Sequence, residues 1–183
     1  MPRLNTTDIA SSTASSTGVV AETLAKKPLN IFKGLAAHPS VFEGFLAFNK
    51  GLAEGGALTT IEREIVMLFV SEIRDCDYCL AAHTMIAAEA GLSAEAAILA
   101  RTGEGGDDKQ QALLDFTAIV LESDGFVTDE ELEVFRGAGF NDRAAIEVIA
   151  CITIMTFTNL YNHVHETEID FPEAPSIDQE HAD

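Results

Sequence analysis

Two cysteines and a histidine stand close together in DCDYCLAAHT, residues 75–84. Cys76 and Cys79 form a CxxC pair, and His83 follows four residues after the second cysteine. If Asp75 caps a helix here, all three side chains share one helical face, because residues three or four apart are neighbours on a helix surface. A thiol near a helix N-terminus is favoured as thiolate, and a histidine one turn away can accept or return a proton. The pattern therefore favours thiol-based redox chemistry.

A glutamate in the preceding predicted helix extends this arrangement. If the chain reverses near residue 75, Glu64 lies 11 residues before the turn and His83 lies 8 after it. Their heights along the hairpin then differ by only about 4.5 Å, with Cys79 and then Cys76 nearer the bend. We predict a relay in which the carboxylate orients the imidazole and the imidazole serves the thiol of Cys79. Cys76, at the bend, is expected to be the more exposed thiol and the one open to an outside reductant.

Two other interpretations of these residues stay open. A CxxC pair with a histidine supplies three zinc ligands, and Glu64 could be a fourth. Structural zinc sites usually bring a second paired motif, whereas His163 and His165 lie two residues apart and so not on one helical face. The other interpretation is purely structural, with two small buried thiols and a satisfied histidine. For Cys151, in the apolar segment EVIACITIMTF, we predict such a core position.

The segment EREIVMLFVSEIRDCDYCLAAHT resembles the core of the AhpD-like alkylhydroperoxidases, in the carboxymuconolactone decarboxylase superfamily. The shared pattern is a glutamate, twelve residues to the first cysteine, CxxC, and a histidine four beyond the second cysteine; Glu64, Cys76, Cys79 and His83 match it. This core runs from Leu58 to Leu92. The ending FTNLYNHVHETEIDFP is also similar to the last helix of many relatives.

The resemblance implies an all-α fold, an AhpD-like helical domain with a CxxC-containing hairpin, assembled into homo-oligomers such as trimers or larger rings. It also implies peroxide reduction by a cysteine pair that cycles between dithiol and disulfide and needs no metal or other cofactor. Cys79 would be the peroxidatic thiol, Cys76 the resolving thiol, and Glu64 with His83 the proton relay. The best-studied relatives carry a second histidine between the cysteines, where this chain has the dipeptide DY.

Three functions are compatible with these residues. The preferred one is a thiol peroxidase that takes a peroxide substrate and is reset by an external dithiol reductant. The second is a redox sensor or disulfide-exchange protein that uses the same pair without efficient turnover. The third, lactone decarboxylation, would need an anionic-substrate pocket rich in Arg or His, but only Arg63, Arg74 and His83 lie near the motif. Decarboxylases of the superfamily also lack the cysteine pair.

The rest of the chain must supply the helices that position these residues. With 183 residues, 47% of them hydrophobic, the chain can form one domain with a sizeable core. Alanine and leucine abound, and alternating valine-rich runs are almost absent, which favours helices. The predicted helices lie near residues 28–37, 41–53, 60–74, 77–90, 94–101, 108–123, 129–137 and 142–167.

Helix-start and helix-stop signals separate these segments. We predict a flexible N-terminal tail over 1–18, a single domain over 19–171 and an acidic C-terminal tail over 172–183. Capping boxes, in which side chains satisfy the free N–H groups of a helix start, are predicted at Ser40 with Glu43, Thr59 with Glu62 and Thr128 with Glu131, and a weaker cap at Asp107 with Gln110. Plausible helix stops are Gly91, Gly103 and Gly137.

The charge of the chain limits its partners. Eleven Lys and Arg against 30 Asp and Glu give a net charge of −19 at pH 7, so nucleic acid and anionic membrane surfaces are poor partners. The sequence has neither an apolar run of about 18 residues nor a signal-peptide pattern, so we expect no membrane association and a cytoplasmic location. Many apolar helix faces instead predict a homo-oligomer.

Overall fold

The computed structural model describes residues 2–6 and 18–177, and over these residues it is helical without strands, as predicted. Most of the predicted N-terminal tail and residues 178–183 of the C-terminal tail lie outside the described residues. All eight predicted helices are present, with ends within two residues of the prediction. The helices are α1 (Gly18–Lys26), α2 (Asn30–Leu35), α3 (Pro39–Gly55), α4 (Thr60–Ile73), α5 (Asp77–Glu89), α6 (Ala94–Thr102), α7 (Asp108–Glu122), α8 (Asp129–Gly137) and α9 (Asp142–His165).

Helices α4 and α9 form the centre of the bundle. Helix α4 packs against α5, α6, α7 and α9, and α9 also packs against α3, α5 and α7. The apolar run of α4 is buried, with Ile65, Val66 and Leu68 at most 1% exposed. Burying each such side chain contributes about 1.5–3 kcal/mol. Because α5 also packs on both of these helices, the CxxC segment rests on a rigid support.

Helix α9 is the one helix among the described residues that is long and apolar enough, by length and composition, to cross a membrane. One face of it is buried in the bundle, including Val148, Cys151 and Met155. The central helix of a helical bundle meets the same criteria of length and composition, and α9 occupies that place.

Local capping signals account for most helix starts. Thr59 and Thr128 each form the predicted capping box with the glutamate three residues later, and Asp107 accepts a hydrogen bond from the Gln110 N–H. The cap predicted at Ser40 is wrong. Helix α3 instead begins at Pro39, because proline suits the first helical position, where its missing N–H is not needed.

Helix α1 and the end of α8 also differ from the sequence prediction. Helix α1 was not predicted, since it begins at the boundary of the polar N-terminal segment; it is held by Val20 and Leu24, both fully buried. Helix α8 does end at Gly137, but the residue that takes the left-handed conformation is Gly139, with φ of 97°.

The turn between α4 and α5 fixes the position of the first cysteine. The Cys76 N–H donates to Ser71 O and the Asp75 N–H donates to Glu72 O, the paired bonds of a Schellman helix ending. Asp75 takes the left-handed conformation that this ending requires, with φ of 54°. The predicted cap at Asp75 is therefore wrong by one residue. Asp75 belongs to the end of α4, so the next residue, Cys76, is the N-cap of α5.

Candidate active site

Glu64 of α4 and His83 of α5 meet as the hairpin geometry predicted. His83 Nδ1 lies 2.8 Å from Glu64 Oε2, a hydrogen-bond distance. The Glu64 side chain is 8% exposed and that of His83 is 18% exposed, so this pair is largely removed from water. A buried carboxylate beside one ring nitrogen orients the ring and leaves the other nitrogen for proton transfer.

Cys76, the N-cap of α5, and Cys79, in the first turn of that helix, are both free thiols. The backbone places them one helical turn apart, since the Leu80 N–H donates to the carbonyl of Cys76. Cys76 is 1% exposed and Cys79 is 3% exposed. The expectation that Cys76 is the more exposed thiol is therefore wrong, because α9 packs against the turn, where His163 Nε2 lies 3.1 Å from the Asp75 carbonyl.

The two thiols influence each other's titration. The adjacent Cys79 stabilises the Cys76 thiolate and lowers the pKa of Cys76 to about 6, with further help from Asn159 and His163. The adjacent Cys76, together with burial, raises the pKa of Cys79. The structure therefore favours Cys76 as the resting thiolate, whereas the sequence had predicted that the relay stabilises Cys79. Burial raises the pKa of Cys151 to about 12, which fits its predicted core position.

Helix α9 presents three buried polar side chains to the cysteine pair. Asn162 Nδ2 donates to Cys79 Sγ at 3.3 Å, and Cys79 Sγ lies 3.8 Å from Thr158 Oγ1. Asn159, fully buried, lies beside Cys76 without the geometry of a full hydrogen bond, and neither of its amide atoms has another partner. A buried amide without partners costs about 1–3 kcal/mol, so its place beside a sulfur needs an explanation.

A largely apolar cavity of about 270 Å³ opens onto Cys79 and His83. Cys76 does not line it, so the two cysteines differ in access to the cavity even though both are buried. Thr158 contributes a hydroxyl near the sulfur. The apolar wall consists of Leu29, Ile31, Phe32, Phe45, Leu46, Ala82, Ile86, Ile154 and Phe171.

The segment after α9, residues 166–177, closes over the start of α5, and we call it the C-terminal strap. Tyr78, which stands between the cysteines, donates its hydroxyl to Asp170 Oδ1 at 2.7 Å. Asp170 Oδ2 accepts the Asn30 N–H at 2.6 Å, and the ring of Phe171 meets Tyr78 edge to face. The strap thereby contributes Phe171 to the cavity wall and ties the CxxC turn to α2.

The zinc interpretation finds no support in the arrangement of side chains. Within the described part of the chain, no three His, Cys, Asp or Glu residues are grouped as metal ligands would be. Glu64 is engaged with His83, and His163 Nε2 lies 3.1 Å from the carbonyl of Asp75. His165 is buried and accepts the Leu4 N–H, away from the sulfurs.

Sequence reasoning brought Glu64, His83 and the cysteines together but missed the contribution of α9. A signal was present, since Thr158 and Asn162 stand one turn apart with Asn159 between them in an otherwise apolar helix. Polar residues on the buried face of such a helix indicate a polar partner across the interface. Which partner they meet depends on how α9 packs on α5, which the motif does not specify.

Comparison with known proteins agrees with this geometry. Residues 39–103, which span α3 to the end of α6, match the model of the carboxymuconolactone decarboxylase family. This stretch contains all four residues of the predicted site. No curated protein sequence matches the chain.

Solved structures share the fold over most of the chain. A peroxidase-related protein with an AhpD core from Ralstonia eutropha JMP134 superposes with a TM-score of 0.81 at 23% identity, covering 92% of each chain. A peroxidase-related protein from Silicibacter sp. TM1040 gives 0.72 at 24% identity over 82% of each chain. A protein from Agrobacterium tumefaciens, titled a putative antioxidant defence protein AhpD, gives 0.64 at 19% identity over 75% of this chain and 96% of its own. At these identities the likeness establishes the fold, and with the family match it confirms the resemblance seen in the motif.

Proposed function

Because this chain carries a carboxymuconolactone decarboxylase family core within an AhpD-like fold, we propose that it is a peroxidase-related enzyme that reduces a peroxide with its CxxC pair. The observation that carries the proposal is the shared cavity: Cys79 and His83 line it together, and Glu64 holds the other side of the imidazole. The related proteins from Ralstonia eutropha and Silicibacter are named peroxidase-related proteins, which supports the same class of activity.

The reaction begins with the pair sharing one proton. Movement of that proton from Cys79 to the adjacent Cys76 produces a thiolate at the cavity. This thiolate attacks one peroxide oxygen, the O–O bond breaks, and Cys79 becomes a sulfenic acid. The leaving alkoxide takes a proton from His83, which Glu64 orients, and departs as an alcohol.

Resolution follows within the pair. The Cys76 sulfur attacks the sulfenic sulfur of Cys79, the S–O bond breaks, and the hydroxyl leaves with the Cys76 proton as water. The two thiols have then given two electrons to the peroxide and form a disulfide. An external dithiol reduces this disulfide by thiol–disulfide exchange and is itself oxidised. His83 regains its proton from solvent.

The cavity also indicates the kind of peroxide. Its wall is mostly apolar, including Phe32, Phe45 and Phe171, with Lys27 and Asn49 as polar members, so burial of an apolar organic group is favourable there. We therefore expect organic hydroperoxides to react faster than hydrogen peroxide, which gains nothing from this wall. Cysteine access supports Cys79 as the attacking residue, because Cys76 does not line the cavity.

The test follows the first oxidation step in single-cysteine variants. Cys76→Ser should react once with cumene hydroperoxide in stopped flow and accumulate sulfenic acid on Cys79, whereas Cys79→Ser should react no faster than a free thiol. Cys151→Ser, which alters a thiol buried in the core, serves as the control and should behave as the parent.

Two outcomes would change the proposal. Rapid reaction of Cys79→Ser with a silent Cys76→Ser would reverse the roles of the two residues. Slow reaction of the parent at every pH, with or without a panel of dithiol reductants, would reject a peroxidase and leave a redox sensor or disulfide-exchange protein.

A further inference from the structure

Two buried asparagines of α9 lie near the cysteine pair. Asn162 donates its amide to Cys79 Sγ at 3.3 Å, and Asn159 lies beside Cys76 with neither amide atom satisfied elsewhere. Asn159 is fully buried and Asn162 is 4% exposed, so neither amide has water as an alternative partner. An apolar side chain of similar size would fill either place without leaving polar atoms unpaired.

The charge state of the sulfur decides how strongly it accepts a hydrogen bond from such an amide. A neutral thiol is a weak hydrogen-bond acceptor, whereas a thiolate is a strong one, and hydrogen bonds to charged groups are about twice as strong as neutral ones. A disulfide sulfur is again a weak acceptor. An amide N–H bonded to one sulfur, with a second unpaired amide beside the other, therefore matches the reduced, singly ionised pair better than either of the other states.

We propose that Asn159 and Asn162 stabilise the cysteine pair. Asn162 donates to Cys79, Asn159 turns its unpaired amide toward an ionised Cys76, and together they favour the reduced pair in its singly ionised form. The proposal rests on the function proposed above, in which that form is the one that reacts. When the negative charge lies on Cys79, Asn162 stabilises it, and when the charge lies on Cys76, Asn159 stabilises it. The pair of amides thus supports movement of the shared proton, because an N–H donor is available at both ends.

The decisive variant is Asn159→Leu, which removes both amide atoms while nearly keeping the side-chain volume. We expect the thiolate titration of the reduced protein, followed at 240 nm, to move upward by about one pH unit, which is a tenfold loss of thiolate at pH values below the new midpoint. Thermal stability should be unchanged or higher, since an unsatisfied buried amide is removed. An amide with a merely structural role would give the opposite pattern, with lower stability and an unmoved titration.

Other groups near Cys76 are held constant in this comparison. Cys79 and His163 are the titratable groups with the largest effects on Cys76, and both stay in place in Asn159→Leu. Thr117→Val is the matched control, because Thr117 is equally buried but bonds the Leu113 carbonyl within α7. Its titration should match that of the parent.

A second variant and a second readout complete the test. If leucine does not fit, Asn159→Ala removes the same donor with a smaller side chain and should shift the titration in the same direction. The equilibrium of the pair with a glutathione redox buffer should also move toward the disulfide, because the reduced form has lost a stabilising bond. Parent-like titration and parent-like redox equilibrium in both variants would overturn the proposal. Neither measurement uses a peroxide, so a failure of the peroxidase function would be seen separately.

Discussion

Removing the Tyr78 hydroxyl should open the cover of the cysteine pair. Tyr78→Phe keeps the ring that meets Phe171 edge to face but deletes the 2.7 Å bond to the Asp170 carboxylate. Burial, followed by this bond, raises the pKa of Tyr78, so the phenol stays protonated and can donate across the working range. The strap keeps its other anchor at Asp170, the bond from the Asn30 N–H.

The expected increase in the alkylation rate follows from the kind of hydrogen bond that is lost. A hydrogen bond to a charged group contributes about 1.5–3 kcal/mol, and a partly buried bond such as this one belongs near the lower end. A change of about 1.4 kcal/mol is tenfold in an equilibrium. If the strap opens and closes faster than the reagent attacks, the thiols of Tyr78→Phe should react with a bulky maleimide about ten times faster than those of the parent.

The assay is alkylation of the reduced protein at pH 8, with Cys76, Cys79 and Cys151 separated by peptide mass spectrometry. Tyr161→Phe is the matched control, because the Tyr161 hydroxyl is buried without a partner and its removal should leave the rate unchanged. Asp170→Asn should accelerate alkylation in the same direction as Tyr78→Phe. Parent-like rates in both of these variants, with intact helicity, would refute the assignment of the strap as the cover.

Four further outcomes are expected. His83→Ala should slow the reaction with an organic hydroperoxide by about 100-fold and Glu64→Gln by less, measured in stopped flow; equal rates would exclude the relay. The pKa of Cys76 lies at about 6, so the singly ionised pair forms as pH rises through 6. Because this form supplies the attacking thiolate, the rate of the peroxide reaction should increase through pH 6 and level off above 7. A midpoint near the pKa of a free thiol would contradict this assignment. Light scattering should report a homo-oligomer, and a charge at Ile149 or Leu160 on the exposed apolar face of α9 should reduce its mass; a monomeric parent would contradict the prediction. Purified protein should hold less than one zinc per chain, whereas stoichiometric zinc that survives dialysis against a chelator would favour a structural metal site.

The sequence by itself determined the helices and the relative height of the relay residues. Helix starts such as Thr59 and Thr128 could be predicted because capping depends on residues only three positions apart. The contact of Glu64 with His83 could be predicted because one tight turn joins their helices, and the rise per residue then fixes their heights. Where local signals competed for a helix start, the predicted start was wrong by two residues, as at Pro39.

Only the tertiary structure decided the surroundings of each sulfur. Cys76 was expected to be open to solvent at the bend, but it is buried, with Asn159 of α9 beside it. Asn159 and Asn162 stand some 80 residues after the cysteines in the chain, so no spacing rule links them to the pair. The different surroundings of the two sulfurs, with Cys79 at the cavity and Asn159 beside Cys76, follow from how α9 packs on α5. That packing is set by many apolar contacts at once, and a motif of four residues does not contain it.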